Sequence, residues 1–276
     1  MSSSVQIRQC AVSGLFYPSD PAILKRQVTS FLKTGPDKRD AGAVRGLLSP
    51  HAGYMYSGPT AGAGYGRLRG ARYGTVVVLS PSHREFFDGI SVYSGDAYAT
   101  PLGRVSVNAD LREKLIETCP HARSSEEGHG EEHAIEVQLP FLQEVLGEFT
   151  ILPIVIGNQK RGYCYALGEA LGKVLKDESA LLVASTDLSH YHPAKVADRL
   201  DSVFIEDVRN GDYGQLMADL EGGKTEACGG GPTVAVLIAL HSLKATRIEV
   251  VHHCNSGDVT GERGSVVGYL AAVAYA

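Results

Sequence analysis

The chain has 276 residues, a hydrophobic content of 43% and a formal net charge of −5 at pH 7. This length can bury a substantial core, and no composition shift or low-complexity linker divides it, so we expect residues 1–276 to form a single domain. Lysine and arginine are scattered through an acidic chain, and no apolar run reaches the roughly 18 residues of a membrane helix, which argues against nucleic acid and membrane as partners.

Short apolar runs bounded by turn residues alternate with helical patterns along the chain. The strand candidates are residues 44–49, 74–80, 149–157 and 180–185, and the helix candidates are 59–68, 108–118, 131–146, 163–176 and 231–243. Because the strands are apolar on both faces and alternate with helices, they predict an α/β fold with a mostly parallel central sheet and helices on both of its faces. Two further strands, at 247–254 and 264–276, are predicted to pair, and residues 84–130 to hold a hairpin and surface loops.

Two of the predicted strands end in histidines. The stretch LLSPHAGYMYSG places His51 just after the first strand, and VVVLSPSH places His83 just after the second. In open α/β sheets the ligand crevice lies outside the carboxyl ends of the strands, and unrelated turn histidines have no reason to share that edge. We therefore predict a functional site there. The stretch LLVASTDLSHYH adds three candidates at a further strand end: Asp187, His190 and His192.

Cysteine usage adds one more candidate. The five cysteines are odd in number, widely spaced and without a C-x-x-C pair, which argues against a disulfide framework and, with no secretory signal, predicts a cytoplasmic protein. Cys228 precedes three glycines and the predicted helix 231–243. A helix N-terminus favours the thiolate, which is the metal-ligating form, so we expect a lowered pKa for this thiol. The simpler alternative is a small buried hydrophobic residue.

Two histidine pairs have plainer interpretations. The stretch HGEEH gives His129 and His133 a metal-binding spacing, but its acids do not follow the H-E-x-x-H order and its glycine weakens a helix. We expect His133 alone to line the pocket, at the start of the predicted helix 131–146. His252 and His253 are neighbours on a strand, point to opposite faces and are predicted to be structural.

Seven motifs together carry a resemblance to a known family. They occur in order from about residue 11 to the C-terminus: SGLFYPSD, SPHAGYMYSG, LSPSH, EEHAIEVQLPFL, STDLSHY, ACGGGP and NSGDVTGERGSVVGYLA. The chain resembles the Memo family, protein B of the AmmeMemoRadiSam system. The resemblance implies a fold similar to class III extradiol ring-cleaving dioxygenases, which hold non-haem iron with two histidines and a carboxylate. It also implies a radical-SAM protein and an AMMECR-type protein as partners.

The resemblance implies roles for individual residues. His51 and His83 match the two histidine ligands, and Cys228 falls where the family places the third. His190 matches the acid–base histidine, and His133 matches a pocket histidine near the substrate. We expect Asp187 to orient His190, with His192 as the alternative acid–base group; if Cys228 is not the third ligand, Glu226 or Asp187 takes its place.

The cysteine changes the metal chemistry that is expected. A thiolate is softer and donates more charge than a carboxylate, so it favours copper or zinc and alters the redox potential of iron. We expect iron or copper, with zinc as a third candidate, and fold kinship alone does not supply dioxygenase activity.

The first hypothesis is a metal-dependent redox enzyme acting on a small-molecule substrate, and the second is a non-catalytic protein that binds a peptide or protein partner. Zinc-assisted hydrolysis is the third, since three ligands plus water is a usual catalytic zinc arrangement.

Overall fold

A computed structural model of the protein describes residues 5–33 and 42–276. In chain order the elements of the described residues are β1 (Ile7–Arg8), α1 (Pro21–Phe31), β2 (Val44–Ser49), α2 (Tyr54–Tyr65), β3 (Thr75–Pro81), β4 (Ile90–Tyr93), β5 (Ala97–Thr100), β6 (Gly103–Ser106), α3 (Ala109–Thr118), β7 (Ala122–Ser125), α4 (Leu139–Leu146), β8 (Thr150–Ile156), α5 (Arg161–Val174), β9 (Ala180–Ser185), β10 (His190–His192), α6 (Ala194–Asn210), α7 (Tyr213–Glu221), α8 (Gly230–Ser242), β11 (Arg247–Asn255), α9 (Ser256–Thr260) and β12 (Val266–Tyr275). Short 3₁₀ turns follow α2 and precede α4.

Four parallel strands form the centre of the large sheet, in the order β2-β9-β3-β8. Every residue of β3 and β9 is buried, because helices cover both faces, and this explains the continuous apolar runs in the sequence. Val77 and Leu79 of β3 pack in a core with residues of α3, α5 and α8, while Val76 and Val78 pack on the other face with residues of α1, α2 and α4. The predicted α/β fold with helices on both faces is confirmed.

The outer strands make the sheet mixed. On one side β12 pairs antiparallel with β2, β10 and β11, and on the other side β4 pairs antiparallel with β8 and parallel with β7. The predicted pairing of the two C-terminal strands is therefore confirmed, and so is a hairpin, formed by β5 and β6, within residues 84–130. Among the described residues, no helix has the combined length and hydropathy needed to span a bilayer.

Two predicted helices begin five or more residues away from the predicted start. The helix predicted at 59–68 begins five residues earlier, at Tyr54, with Pro59 inside it. A proline normally disrupts a helix interior, but Gly58 and Gly62 lie so close to Phe31 of α1 that a Cβ at either position would approach it within 3.0 Å, and this packing fixes the helix. Helix α3, in contrast, begins where predicted, because the Asn108 side chain accepts a hydrogen bond from Leu111 N at its first turn.

The predicted helix 131–146 is shorter than expected. Residues 131–135 lie outside any helix, a 3₁₀ turn spans Glu136–Gln138, and α4 begins at Leu139. The Glu132 carboxylate accepts hydrogen bonds from the backbone N–H groups of His133 and Ala134, and these bonds tie residues 132–134 into a local turn ahead of the helix. His133 therefore precedes the helix instead of opening it.

Candidate metal centre

One pocket of about 490 Å³ lies beyond the carboxyl ends of β2, β3 and β9. Its walls are completed by Phe16, Tyr191 and Val267. Parallel strands place the residues that follow them at one edge of a sheet, so side chains far apart in sequence meet there. All six predicted site residues line this pocket: His51, His83, His133, Asp187, His190 and Cys228.

Hydrogen bonds fix which nitrogen of His51 carries the proton. Ser185 Oγ donates to Ala134 O at 2.7 Å and accepts from Gln138 Nε2 at 2.8 Å. Since the single hydroxyl proton is already used, Ser185 Oγ must also accept from His51 Nδ1, which lies 2.9 Å away. The lone pair of His51 is thus on Nε2, and burial first and His83 second lower the pKa of this ring to about 3, so it is neutral and able to ligate a metal.

A buried carboxylate fixes which ring nitrogen of His83 carries the proton. Glu132 Oε1 lies 2.9 Å from His83 Nδ1, and Oε2 accepts from His83 N at 2.6 Å. Burial raises the pKa of Glu132, but these hydrogen bonds outweigh it and lower the pKa to about 2, so the side chain is ionised and His83 Nδ1 must donate. The Nε2 lone pair of His83 is left for a metal, the arrangement in which a carboxylate orients a metal-ligating histidine.

Cys228 completes the group. Its sulfur lies 3.1 Å from His51 Nε2 and accepts from Asp187 N at 3.2 Å. The thiol has two acceptors within reach, the lone pair of His51 Nε2 and, at 3.6 Å, Asp187 O. One ligand atom from each of three residues lies within 4.8 Å of the others: His51, His83 and Cys228.

The thiol pKa is shifted in the direction opposite to the prediction. The sequence predicts a lowered pKa from the helix N-terminus, but burial first and the Asp187 carboxylate second raise the pKa of the Cys228 thiol. The helix end favours the thiolate, but this effect on the pKa is smaller than the opposite effects of burial and of the neighbouring carboxylate. The metal-free protein therefore holds a protonated thiol, and we expect metal binding to release that proton.

Asp187 has a hydrogen-bond partner, His51, that the sequence did not predict. Its Oδ1 accepts a hydrogen bond from His51 N at 2.8 Å, and burial raises the pKa of this carboxyl. Its expected role in orienting His190 has no hydrogen bond to support it among the described residues. The carboxylate fixes the backbone of the loop that carries His51.

His190 is positioned by its neighbours in the chain. It lies in β10 and pairs with Val267 of β12, and the next residue, Tyr191, has a φ of 62°, which is uncommon for a residue with a side chain. Asp201 of α6 accepts a hydrogen bond from Ser189 N at 3.0 Å. These contacts hold His190 half-buried at the pocket wall.

His133 supplies an unsatisfied nitrogen. Its ring centroid lies 4.8 Å from that of His83, 5.3 Å from that of His51 and 4.8 Å from that of Phe16. Its buried Nδ1 makes no hydrogen bond within the described residues, although Glu132 Oε1 lies 3.3 Å away. Burial first lowers the pKa of this ring to about 4, so a neutral ring lies beside two candidate ligands.

A second group could in principle hold a metal: His83, Glu132 and His133 also lie within ligand distance of one another. However, Glu132 Oε1 already faces three N–H donors and Oε2 a fourth. A metal bound to this carboxylate would displace those hydrogen bonds. The set of His51, His83 and Cys228 needs the loss of only one thiol proton, and is the better fit to a metal.

The remaining candidates lie outside the pocket lining. His192, the alternative acid–base group, pairs with Glu226, one of the alternative third ligands. His192 Nε2 is 2.9 Å from Glu226 Oε2, and neither residue lines the pocket. His129 is buried between Tyr98 OH and Ser91 O, and no helix joins it to His133. His252 contacts Thr60 of α2 through its Nδ1 at 3.0 Å.

The sequence reasoning missed the residues behind the ligands. Glu132, Ser185 and Gln138 are fully or almost fully buried and polar, and they set the proton positions described above. A partial signal existed in EEHAIEVQ, where acidic and amide residues interrupt an apolar run. The spacing alone could not show that Glu132 folds back toward His83.

We expect Glu132→Gln to weaken metal binding by about 10- to 100-fold, because a neutral amide holds the His83 tautomer less well than a carboxylate. Competition with a chelator of known affinity measures the change. Glu131→Gln is the matched control, since Glu131 is the exposed neighbour. Equal affinities in the two variants, with unchanged thermal stability, would show that Glu132 does not support the site.

We expect Asp201 to make stability pH-dependent. Burial first raises the pKa of Asp201 from 3.8 to about 6, so the folded state favours the protonated form. The stabilisation is complete below pH 3.8 and is lost as the pH rises through 6, an effect of about 2–3 kcal/mol at 1.36 kcal/mol per pKa unit. Urea unfolding at pH 4 and pH 7 should therefore show a steeper fall for wild type than for Asp201→Asn, whose amide oxygen can still accept from Ser189 N. Parallel pH profiles would contradict this assignment.

Comparisons with known proteins agree with the motifs. A family model described as Memo-like protein matches residues 8–273. The MEMO1 family protein of Aquifex aeolicus is 39% identical over 270 residues, covering 98% of this chain and 99% of the relative. The MEMO1 family protein of Methanothermobacter thermautotrophicus is 34% identical over 272 residues, covering 95% and 98%.

A solved structure is similar in fold. The uncharacterized protein JW3007 from Escherichia coli K12 matches with a TM-score of 0.53 at 18% identity, covering 85% of this chain and all of that chain. At 18% identity this match is evidence for the fold only. The sequence relatives also establish the family, because they align over almost their full length and share the name of the matching family model. The chain belongs to the Memo family.

Proposed function

We propose that this protein holds a single metal ion through His51, His83 and Cys228, and that the metal serves redox chemistry on a small-molecule substrate. The observation that carries the proposal is the pair of imidazole nitrogens whose lone pairs are left free by Ser185 and Glu132, beside one thiol. Two nitrogen ligands and one thiolate suit iron or copper, with zinc as the competing ion. A bound iron or copper ion would supply one-electron chemistry and an open coordination position.

The chain's own side chains would do the remaining work. His190 is half-buried at the pocket wall and is not needed as a ligand, so we assign it the transfer of a proton to or from the substrate. His133 and Phe16 form the adjoining wall, where the substrate would pack. We place the protein in the cytoplasm, where the reducing environment keeps the Cys228 thiol available.

A second candidate function rests on exposed apolar residues at the pocket. Tyr191 lines the pocket and is 77% exposed, and Leu15, next to Phe16, is 81% exposed. Phe86, three residues after His83, is also 81% exposed. Exposed apolar groups around a pocket favour docking of a peptide or protein, and a radical-SAM protein and an AMMECR-type protein are the partners we propose for it.

The experiment compares metal content and turnover in three proteins purified without oxygen. Wild type should contain about one iron or copper per chain by elemental analysis and consume oxygen with catechols or other small substrates. Cys228→Ala should lose most of the metal, whereas His190→Ala should keep the metal and lose turnover. Wild type that is loaded with iron or copper yet shows no turnover would favour the binding function, and zinc alone would favour hydrolysis.

A further inference from the structure

The loop of residues 129–135 carries Glu132 and His133 to the metal centre, yet its own backbone does little to hold it in place. It belongs to no helix or strand. No backbone–backbone hydrogen bond joins residues 130–134 to another segment of the described chain. The position of the loop therefore depends on contacts made by side chains.

Arg8, at the end of strand β1, makes three of these contacts. Its side chain is only 3% exposed. From Nε it donates to His129 O at 3.1 Å, and from Nη2 it donates to Glu132 O. From Nη1 it donates to the carboxylate of Glu136, which is fully buried. The planar guanidinium thus holds the loop at three points whose relative positions are fixed.

Glu136 ties the same loop to the N-terminal segment. Its carboxylate accepts from the backbone N–H groups of residues 11 and 12, at 2.8 and 3.2 Å, and from the Tyr17 hydroxyl. Together with the guanidinium, these donors give each carboxylate oxygen two hydrogen bonds. The segment held in this way includes Phe16, whose ring packs against His133 on the pocket wall.

Stability alone does not account for this buried ion pair. A buried ion pair is often no more stabilising than apolar side chains of similar volume, because both charges lose their hydration. Apolar side chains in the same space, however, could not direct polar groups. They would leave the carbonyls of His129 and Glu132 and the N–H groups of residues 11 and 12 without these partners.

The contact at Glu132 O reaches the metal centre through a single residue. The carboxylate of Glu132 lies 2.6 Å from His83 N and 2.9 Å from His83 Nδ1, and it leaves the Nε2 lone pair of His83 free. Because Arg8 holds the peptide group of Glu132, it also restricts where this carboxylate can lie. Arg8 itself does not line the pocket.

We propose that Arg8 is a positioning residue of the metal centre. By holding the peptide of Glu132, it keeps the Glu132 carboxylate beside His83 and so holds His83 in the tautomer that can ligate a metal. Glu136 extends this support to Phe16 on the pocket wall. The inference rests on the proposed metal function, but the tautomer of His83 can be measured in the absence of metal.

Arg8→Lys tests the proposal, because it keeps a buried positive charge beside Glu136 and removes the planar fork that reaches three acceptors. Competition with a chelator measures the affinity for Zn(II), a probe without redox chemistry, and we expect a fall of about tenfold. Long-range ¹H–¹⁵N spectra of the metal-free protein should show a mixture of His83 tautomers instead of the Nδ1-protonated form alone. The His83 signals are those that disappear in His83→Gln.

Arg67→Lys is the matched control. The Arg67 side chain is also 3% exposed and also pairs with a carboxylate, that of Glu249 at 2.9 Å, but Arg67 lies outside the pocket lining. This variant should bind Zn(II) like wild type and leave the His83 signals unchanged. Equal losses of affinity in Arg8→Lys and Arg67→Lys would mean general destabilisation and would overturn the proposal.

A double-mutant cycle tests the route through Glu132. If Arg8 acts through that carboxylate, Arg8→Lys should lower the Zn(II) affinity by less than about twofold when Glu132→Gln is already present. The same fold-change in both backgrounds would show that Arg8 does not act through Glu132, and would overturn the assignment.

Arg8→Met combined with Glu136→Gln serves if Arg8→Lys does not fold, since it leaves no unpaired buried charge. Wild-type Zn(II) affinity and unchanged His83 signals in a folded variant of either kind would overturn the proposal. Failure of the wild type to bind Zn(II), Fe(II) or Cu(I) would instead overturn the proposed metal function. In that case a changed His83 tautomer in Arg8→Lys would still support the positioning role, and an unchanged one would overturn it.

Discussion

Replacing both His51 and His83 by alanine is expected to abolish stoichiometric binding of Fe(II), Cu(I) and Zn(II). The double variant retains only Cys228 of the three proposed ligands, and one side chain cannot hold a first-row ion against water. Elemental analysis after desalting should give about one metal per chain for reconstituted wild type and a background value for the variant. Circular dichroism checks that the variant is folded, because His51 is a buried side chain.

His252→Ala combined with His253→Ala is the matched control, because it also removes two histidines but from β11, outside the pocket lining. The single variant His51→Ala separates the two candidate ligand sets, since His51 belongs to only one of them. Metal that survives in His51→Ala but is lost in His133→Ala would assign the ion to His83, Glu132 and His133. Undiminished metal in the His51, His83 double variant would contradict both sets.

Gly229→Ala is expected to lower the free energy of unfolding by roughly 3 kcal/mol and to disturb the metal centre. A Cβ on Gly229 would approach the backbone oxygen of Ser185 and the side chain of Thr186 closer than 3.0 Å. Backbone at the end of a buried strand cannot move aside without cost, and overpacking of this kind costs about 1–3 kcal/mol or more. The loop carrying Cys228 would be pushed away from His51. Chemical denaturation measures the first effect and metal titration the second.

Gly162→Ala is the matched control for that substitution. Gly162 lies in the first turn of α5, and a Cβ there would meet no atom within 4 Å. Alanine is a better helix former than glycine by about 1 kcal/mol, so this variant should be as stable as wild type or slightly more stable. If Gly229→Ala behaved in the same way, the close approach of the cysteine loop to β9 would not constrain the site.

The sheet and the meeting of the histidines were predictable because they depend on patterns that are local in sequence. Each central strand is a continuous apolar run, and such runs are typical of strands covered on both faces. Once the strands are taken as parallel, the residues that follow them must share one edge, which is why His51, His83 and Asp187 could be expected in one pocket. The candidate for a third ligand, Cys228, was indicated by the resemblance together with the glycines that follow it.

The remaining features depend on contacts between distant segments. The start of α2 is set by packing of its glycines on Phe31, and propensity alone favours a later start at the proline. The place of Glu132 at His83 requires a loop to fold back over the strand end. The raised pKa of the Cys228 thiol arises from burial beside Asp187, 41 residues away in sequence. None of these has a local signature.

Strand β12 runs from the metal pocket to the opposite end of the sheet. Its first residues, Val266 and Val267, pair with His192 and His190, and its last, Tyr275, lines a cavity of about 660 Å³ at the other end. Its ten residues span about 30 Å at a rise of roughly 3.4 Å each. At this distance two unit charges interact by only about 0.6 kcal/mol at an effective dielectric constant of about 20, so charge gained at one end has little effect at the other. Any coupling free energy between the two ends would need the strand itself to shift, against its hydrogen bonds to β2 and β11. Metal binding at the first end of β12 should therefore leave the surroundings of Tyr275 unchanged.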